Sequence, residues 1–154
     1  MRIRGSCHCG NIAFTLDWTP EPSAIPARAC TCAFCRKHGG VWTACPAGTL
    51  NVAVGDASLV SRYAFETKTA EFHVCARCGV VPLATSTIDA RDYAVVNVNT
   101  LEGIDRSMLV MSPVTFDGES VADRLARRTR NWIGNVRFTR ADDNTAGRPG
   151  RTSD

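Results

Sequence analysis

The chain is 154 residues long, 44% hydrophobic and 21% charged, with eight cysteines and a formal net charge of +3. That is the size and composition of one globular domain with a real core, and no apolar run approaches the roughly 20 residues of a membrane span. Residues 121–154 carry eight Arg against four Asp, so the rest of the chain is close to neutral and lacks the basic face of a nucleic-acid binder. The start, Met1 to Cys7, has no apolar signal region, and the expected setting is cytoplasmic. There, clustered cysteines bind metal or do redox chemistry more often than they form disulfides.

Gly5-Ser6-Cys7-His8-Cys9-Gly10 opens the domain. Residues two apart in a strand face one side about 6.8 Å apart, whereas sulfurs on one tetrahedral zinc stand roughly 3.8 Å apart. The flanking glycines permit the pinch that closes this gap. His8, between the two cysteines, reads as an exposed loop residue. Residues 11–16 alternate polar and apolar as a half-buried strand does, and residues 18–26, with three prolines, read as a loop.

Cys30-Thr31-Cys32-Ala33-Phe34-Cys35-Arg36-Lys37-His38-Gly39-Gly40 follows. Three thiolates this close can hold a soft metal and leave its fourth position open, the mark of a reactive rather than a purely structural site. Residues 41–45, 50–54, 59–63 and 70–74 are strand-like, the last two as a pair. Cys75-Ala76-Arg77-Cys78-Gly79 is a zinc knuckle, its glycine free to take a positive φ. With Cys7 and Cys9 it supplies the four thiolates of a closed site that joins the first strand to the middle of the chain.

Residues 93–99 form the clearest strand, with Asn97 and Asn99 on one face, and 109–111 adds a short one. Ser120 caps a helix with Asp123 at its third position. Val121 and Leu125 share one face of it and Arg124, Arg127 and Arg128 lie elsewhere, which describes an arginine-rich surface helix anchored by Trp132 and Ile133. Residues 141–154 read as a disordered tail, leaving a single mainly β domain over 1–140.

The joint pattern of Cys7-x-Cys9-Gly10, Cys30-x-Cys32-x-x-Cys35-Arg36 and Cys75-x-x-Cys78-Gly79, with later landmarks at 96–105 and Phe116-Asp117-Gly118, is specific. Over roughly residues 3–118 the sequence resembles the glutathione-dependent formaldehyde-activating enzymes and centromere protein V-like domains. The resemblance implies a β-tent fold of packed antiparallel sheets stapled by zinc. It implies a structural zinc on Cys7, Cys9, Cys75 and Cys78 and a second, more labile zinc on Cys30, Cys32 and Cys35. It also implies a carbon–sulfur lyase that reversibly condenses glutathione with formaldehyde.

The residues themselves fit such chemistry. Three thiolates make zinc a poor activator of water and a better acceptor for a fourth, substrate thiolate. Coordination would deprotonate an incoming thiol near neutral pH, ready to add to a carbonyl carbon. Cys30, Cys32, Cys35 and His38 are the candidate reactive groups. His38 reads as a fourth ligand, a proton carrier or a bystander. Arg36 and Lys37 read as a site for substrate carboxylates or as a solvated pair, and Cys45 as a buried apolar residue. The expected partner is a small-molecule thiol such as glutathione, with neither nucleic acid nor membrane, and a homo-oligomer is left open. The competing reading is a non-catalytic zinc-stabilised β scaffold that presents its arginine-rich segment, 124–140, to a protein partner.

Overall fold

The computed structural model of the protein describes residues 1–140. The tail expected at 141–154 lies outside the described residues. Its elements, in order, are β1 (Arg2–Ser6), β2 (Ile12–Asp17), β3 (Ile25–Cys30), α1 (Ala33–His38), β4 (Val41–Thr43), β5 (Thr49–Val54), β6 (Val60–Tyr63), β7 (Glu71–Cys75), β8 (Leu83–Ile88), β9 (Arg91–Asn97), β10 (Leu101–Glu102), β11 (Leu109–Val114), α2 (Val121–Asn131) and β12 (Asn135–Arg140). Among these residues the strands form a five-stranded sheet in the order β10-β1-β2-β5-β12 and a seven-stranded sheet in the order β11-β3-β4-β9-β8-β7-β6.

The protein is mainly β, as expected, and most neighbouring strands are antiparallel. Two edge pairs, β11 with β3 and β12 with β5, are parallel. Both edge strands arrive by long crossovers rather than by hairpins, which is what parallel pairing requires. The two sheets share one core: Ile3, Leu16, Leu50 and Val52 from one and Ile25, Leu83 and Val96 from the other belong to a single buried cluster. Among the described residues no helix is long and apolar enough to cross a membrane.

The second face of the seven-stranded sheet positions the site. Because successive side chains alternate across a strand, Ile25 and Ala27 turn to the shared core while Arg28 and Cys30 turn the other way. Trp42 lies opposite Arg28, Ala84 opposite Val95, and Phe72 opposite Ala84. Arg28, Trp42, Val95, Ala84 and Phe72 are the floor of a cavity, and α2 forms one of its walls.

Several elements depart from the sequence reading. Residues 18–26 are not loop throughout, since β3 begins at Ile25 and carries Pro26 through its parallel pairing with Val110. Asn97 and Asn99 do not share a strand face. The strand ends at Asn97, whose Oδ1 accepts the Asn99 amide at 3.1 Å and turns the chain into a short 3-10 helix. The helix after Ser120 is present, with the Ser120 hydroxyl accepting from the Asp123 amide at 3.1 Å. Arg124, Arg127 and Arg128, however, are not a surface face. Arg128 is only 6% exposed and Arg124 and Arg127 line the cavity beside it, whereas Arg130 and the apolar Val121 are exposed.

Candidate functional site

Cysteines form two clusters. The first is built by two similar turns. After β1 the Gly10 amide donates to the Cys7 carbonyl at 2.9 Å and the Cys7 amide to the Ile12 carbonyl at 2.8 Å. After β7 the Gly79 amide donates to the Cys75 carbonyl at 2.7 Å and the Cys75 amide to the Val80 carbonyl at 3.0 Å. Gly79 has φ +77°, a left-handed conformation open to glycine at no steric cost. The turns bring Cys7, Cys9, Cys75 and Cys78 together, with all four sulfurs within 4.8 Å of one another.

The sulfur of Cys9 lies 3.8 Å from that of Cys7 and 3.5 Å from that of Cys75. Four thiolates at Zn–S bonds of about 2.3 Å stand roughly 3.8 Å apart, so this set fits a tetrahedral zinc. All eight cysteines are free thiols. The amide of Ile12 donates to the Cys7 sulfur at 3.3 Å, which favours an anionic sulfur. Burial nonetheless pushes the Cys7 thiol up to about 12. Cys78 pays a burial penalty too, but amides of Val80 and Cys9 and the thiols of Cys75 and Cys9 bring it down to about 6. Unequal thiols in one cluster are what a cation would level, since coordination deprotonates each of them.

The second cluster forms where β3 runs into α1. Cys30 ends the strand, Cys32 is the N-cap of the helix and Cys35 lies in it. The Cys35 amide donates to the Cys32 sulfur at 3.4 Å, and Trp42 Nε1 donates to the Cys35 sulfur at 3.3 Å. The three sulfurs lie within 4.8 Å of one another, and among the described residues no fourth histidine, cysteine or carboxylate joins them. They fit three ligands of a metal with its fourth position open. All three cysteines line the cavity. Hydrogen bonding from Cys35 outweighs burial and holds Cys30 at about 6, while the nearby charge of Asp117 opposes this. Cys35 is pushed up, by its bond to Cys30 and then by burial.

The cavity encloses about 130 Å³. Phe65, Phe72, Phe116 and Trp132 supply apolar surface, and Glu66, Asp117, Arg28, Arg124, Arg127 and Arg128 supply charge. Arg127 donates to both carboxylate oxygens of Glu119, at 2.8 and 3.0 Å, and its guanidinium stacks 3.7 Å from the Phe116 ring centre. Arg128 packs over Trp132 and donates through Nη1 to the carbonyl and hydroxyl of Thr69, each at 2.8 Å, and to Ser86 at 3.2 Å. Burial first, then the charges of Arg127 and Arg124, bring Arg128 down to about 10.

The remaining sequence candidates lie elsewhere. Arg36 and Lys37 are exposed on α1 and do not line the cavity. His38 stands outside the three-sulfur group, its ring centre 4.4 Å from that of Phe34, with Nε2 buried and unpartnered. Burial lowers its pKa. His8 is exposed. Cys45 is buried and its sulfur donates to the Thr19 carbonyl at 3.5 Å. Arg28, Asp117 and the arginines of α2 were not singled out as site residues from sequence. Arg28 sits two positions before Cys30, a strand-face signal hidden by the prolines upstream. The α2 arginines carried a helix signal but none for direction.

Among solved structures, a crystal structure of a Rhodobacter sphaeroides protein, a structural-genomics target, is similar at TM-score 0.53 and 29% identity over 68% of this chain and 92% of its own. The profile of the family described as glutathione-dependent formaldehyde-activating enzyme matches residues 2–113. With both cysteine clusters assembled in metal-ready geometry inside that span, the chain belongs to the glutathione-dependent formaldehyde-activating enzyme family.

Proposed function

We propose that the protein is a carbon–sulfur lyase that reversibly joins a small thiol to an aldehyde at the Cys30, Cys32 and Cys35 cluster. The observation that carries this reading is the open three-sulfur group on the wall of an aromatic and cationic cavity. A scaffold would need only the four-cysteine clamp. A zinc ion held by these three residues would supply a soft Lewis-acid position for the substrate sulfur.

In the forward direction the thiol loses its proton, its sulfur bonds to the carbonyl carbon, and the carbonyl π pair takes up a proton to give a hydroxymethyl-type thioether. The reverse breaks the same carbon–sulfur bond and returns aldehyde and thiol. Asp117 lines the cavity and its charge reaches Cys30, which suits it to move the proton between the thiol and the new hydroxyl. His38 is not among the residues that line that space. Trp42 fixes the sulfur of Cys35, and the Phe65, Phe72 and Phe116 rings exclude water from the reacting centre. Glutathione with formaldehyde is the pair the family suggests.

The test is Cys32→Ser. Serine is a good N-cap, so it can take over the contact that the Cys32 sulfur makes with the Cys35 amide, and the fold should persist. Bound zinc should fall from two equivalents per chain to one, and condensation of glutathione with formaldehyde should be lost. Full activity in a folded Cys32→Ser protein would refute the assignment.

A further inference from the structure

The charges of the cavity are not balanced among themselves. Arg127 is paired with Glu119, and Arg124 stands near both Glu119 and Glu66. Arg128 donates only to neutral oxygens, and its Nε is buried without a partner although the residue is more than nine-tenths buried. Arg28 has a buried Nη2 that bonds to nothing, including the three sulfurs on its own side of the sheet. Among the described residues neither has a carboxylate within ion-pair distance. Buried guanidinium groups are normally paired and hydrogen-bonded, because leaving them bare forfeits their hydration for nothing.

We infer that Arg28, supported by Arg128, is the residue that selects for a carboxylate on the thiol at this site: that carboxylate lies against these guanidinium groups while the sulfur meets the cysteine cluster. The inference rests on the proposed thiol site. Both arginines and all three cysteines line the same cavity, so one short molecule can touch both ends. A planar carboxylate matches the fork of a guanidinium. A doubly charged phosphate suits the place less, because Asp117 and Glu66 face the same space. Arg28 lies within the span the family profile matches, and its support from Arg128 on α2 comes from beyond it. Arg36 and Lys37 are not needed for it.

The experiment is titration calorimetry on the zinc-loaded full chain with two terminal thiols of equal length, mercaptopropionate and mercaptopropanol, at neutral pH. The carboxylate-bearing thiol should bind about tenfold tighter or more, and Arg28→Gln should shrink that preference to about twofold or less, with Arg28→Lys restoring part of it. If Arg28 served only to offset the thiolate charge, Arg28→Gln would weaken both thiols alike and the preference would stay. That result would overturn the inference. Equal binding of the two thiols to the wild-type chain would overturn it while leaving the thiol site intact. If neither thiol bound, the thiol site itself would fall, and the inference with it.

Discussion

His73 shows how one residue sets a pH limit on the fold. It is 2% exposed on the core side of β7, its Nε2 is 2.8 Å from the Thr85 hydroxyl oxygen, and its ring stacks on Phe138. Burial, and then the charge of Arg62, disfavour the imidazolium and bring its pKa from the ordinary 6.5 down to about 4. In the unfolded chain the same histidine takes up its proton near pH 6.5. The folded state therefore has its full advantage from this residue above pH 6.5 and loses it progressively as the pH falls towards 4, a change of roughly 3 kcal/mol. Chemical denaturation of wild type and His73→Gln across this range checks it. The glutamine amide can keep a bond to Thr85, so the variant should fold, and its stability should fall less steeply between pH 6.5 and 4. Metal loss in acid affects both proteins alike and cancels in the difference. Parallel curves would mean that His73 titrates normally.

The helix α2 is held at its start by reciprocal bonds between Ser120 and Asp123: the Asp123 amide donates to the Ser120 oxygen, and the Ser120 hydroxyl donates to the Asp123 carboxylate at 2.7 Å. Ser120→Ala should cost about 1 kcal/mol and lower the melting temperature by about 4 °C, measured by circular dichroism. No change would mean that Trp132 and Ile133 hold the segment without the cap. That cap was legible in the sequence, because capping is a local exchange of hydrogen bonds between neighbours. The direction of the helix was not. An amphipathic reading sends apolar side chains inward, whereas here the inward neighbour is a cavity that carries charged groups among its aromatic rings, so Arg124, Arg127 and Arg128 turn in and Val121 turns out. The cysteine clusters were legible for a related reason: ligands of one ion must sit close together, and short turns put their spacing into the chain. β8 escaped notice because Thr85 and Ser86 are buried on opposite faces of a strand enclosed on both sides, which erases alternation. β12 was hidden by its arginines, although Val136 and Phe138 alternate. Arg28 was lost because the prolines just before it, up to Pro26, masked the strand that carries both.

At the scale of the molecule the four-cysteine cluster is a staple between sheets. Cys7 and Cys9 follow β1 of the five-stranded sheet, and Cys75 and Cys78 follow from β7 of the seven-stranded one. The three-cysteine cluster lies wholly at one strand end and its adjoining helix, so it joins no two sheets. The two sites should therefore respond differently to a chelator. Stepwise addition should first remove the metal held by Cys30, Cys32 and Cys35, with no change in the far-ultraviolet spectrum. Removal from the four-thiolate site should coincide with loss of the β signal. A closed structural zinc contributes on the order of 10 kcal/mol, as much as the whole net stability of a typical domain. Against this stands the shared apolar core, in which Ile3, Leu16 and Leu50 meet Ile25, Leu83 and Val96. Cys7 and Cys75 are themselves part of that core, whereas Cys9 is exposed and Cys78 half-buried. If the core alone sufficed, the second metal would leave without loss of β structure, and only the two turns would become accessible to thiol reagents. Metal release followed together with circular dichroism separates these outcomes. Once the metal leaves, the buried Cys7 thiol, pushed up to about 12, takes its proton back, and four sulfurs within 4.8 Å of one another are left with no ion bonding them across the two sheets. Loss of those bonds is why metal loss and sheet separation are expected to be one event.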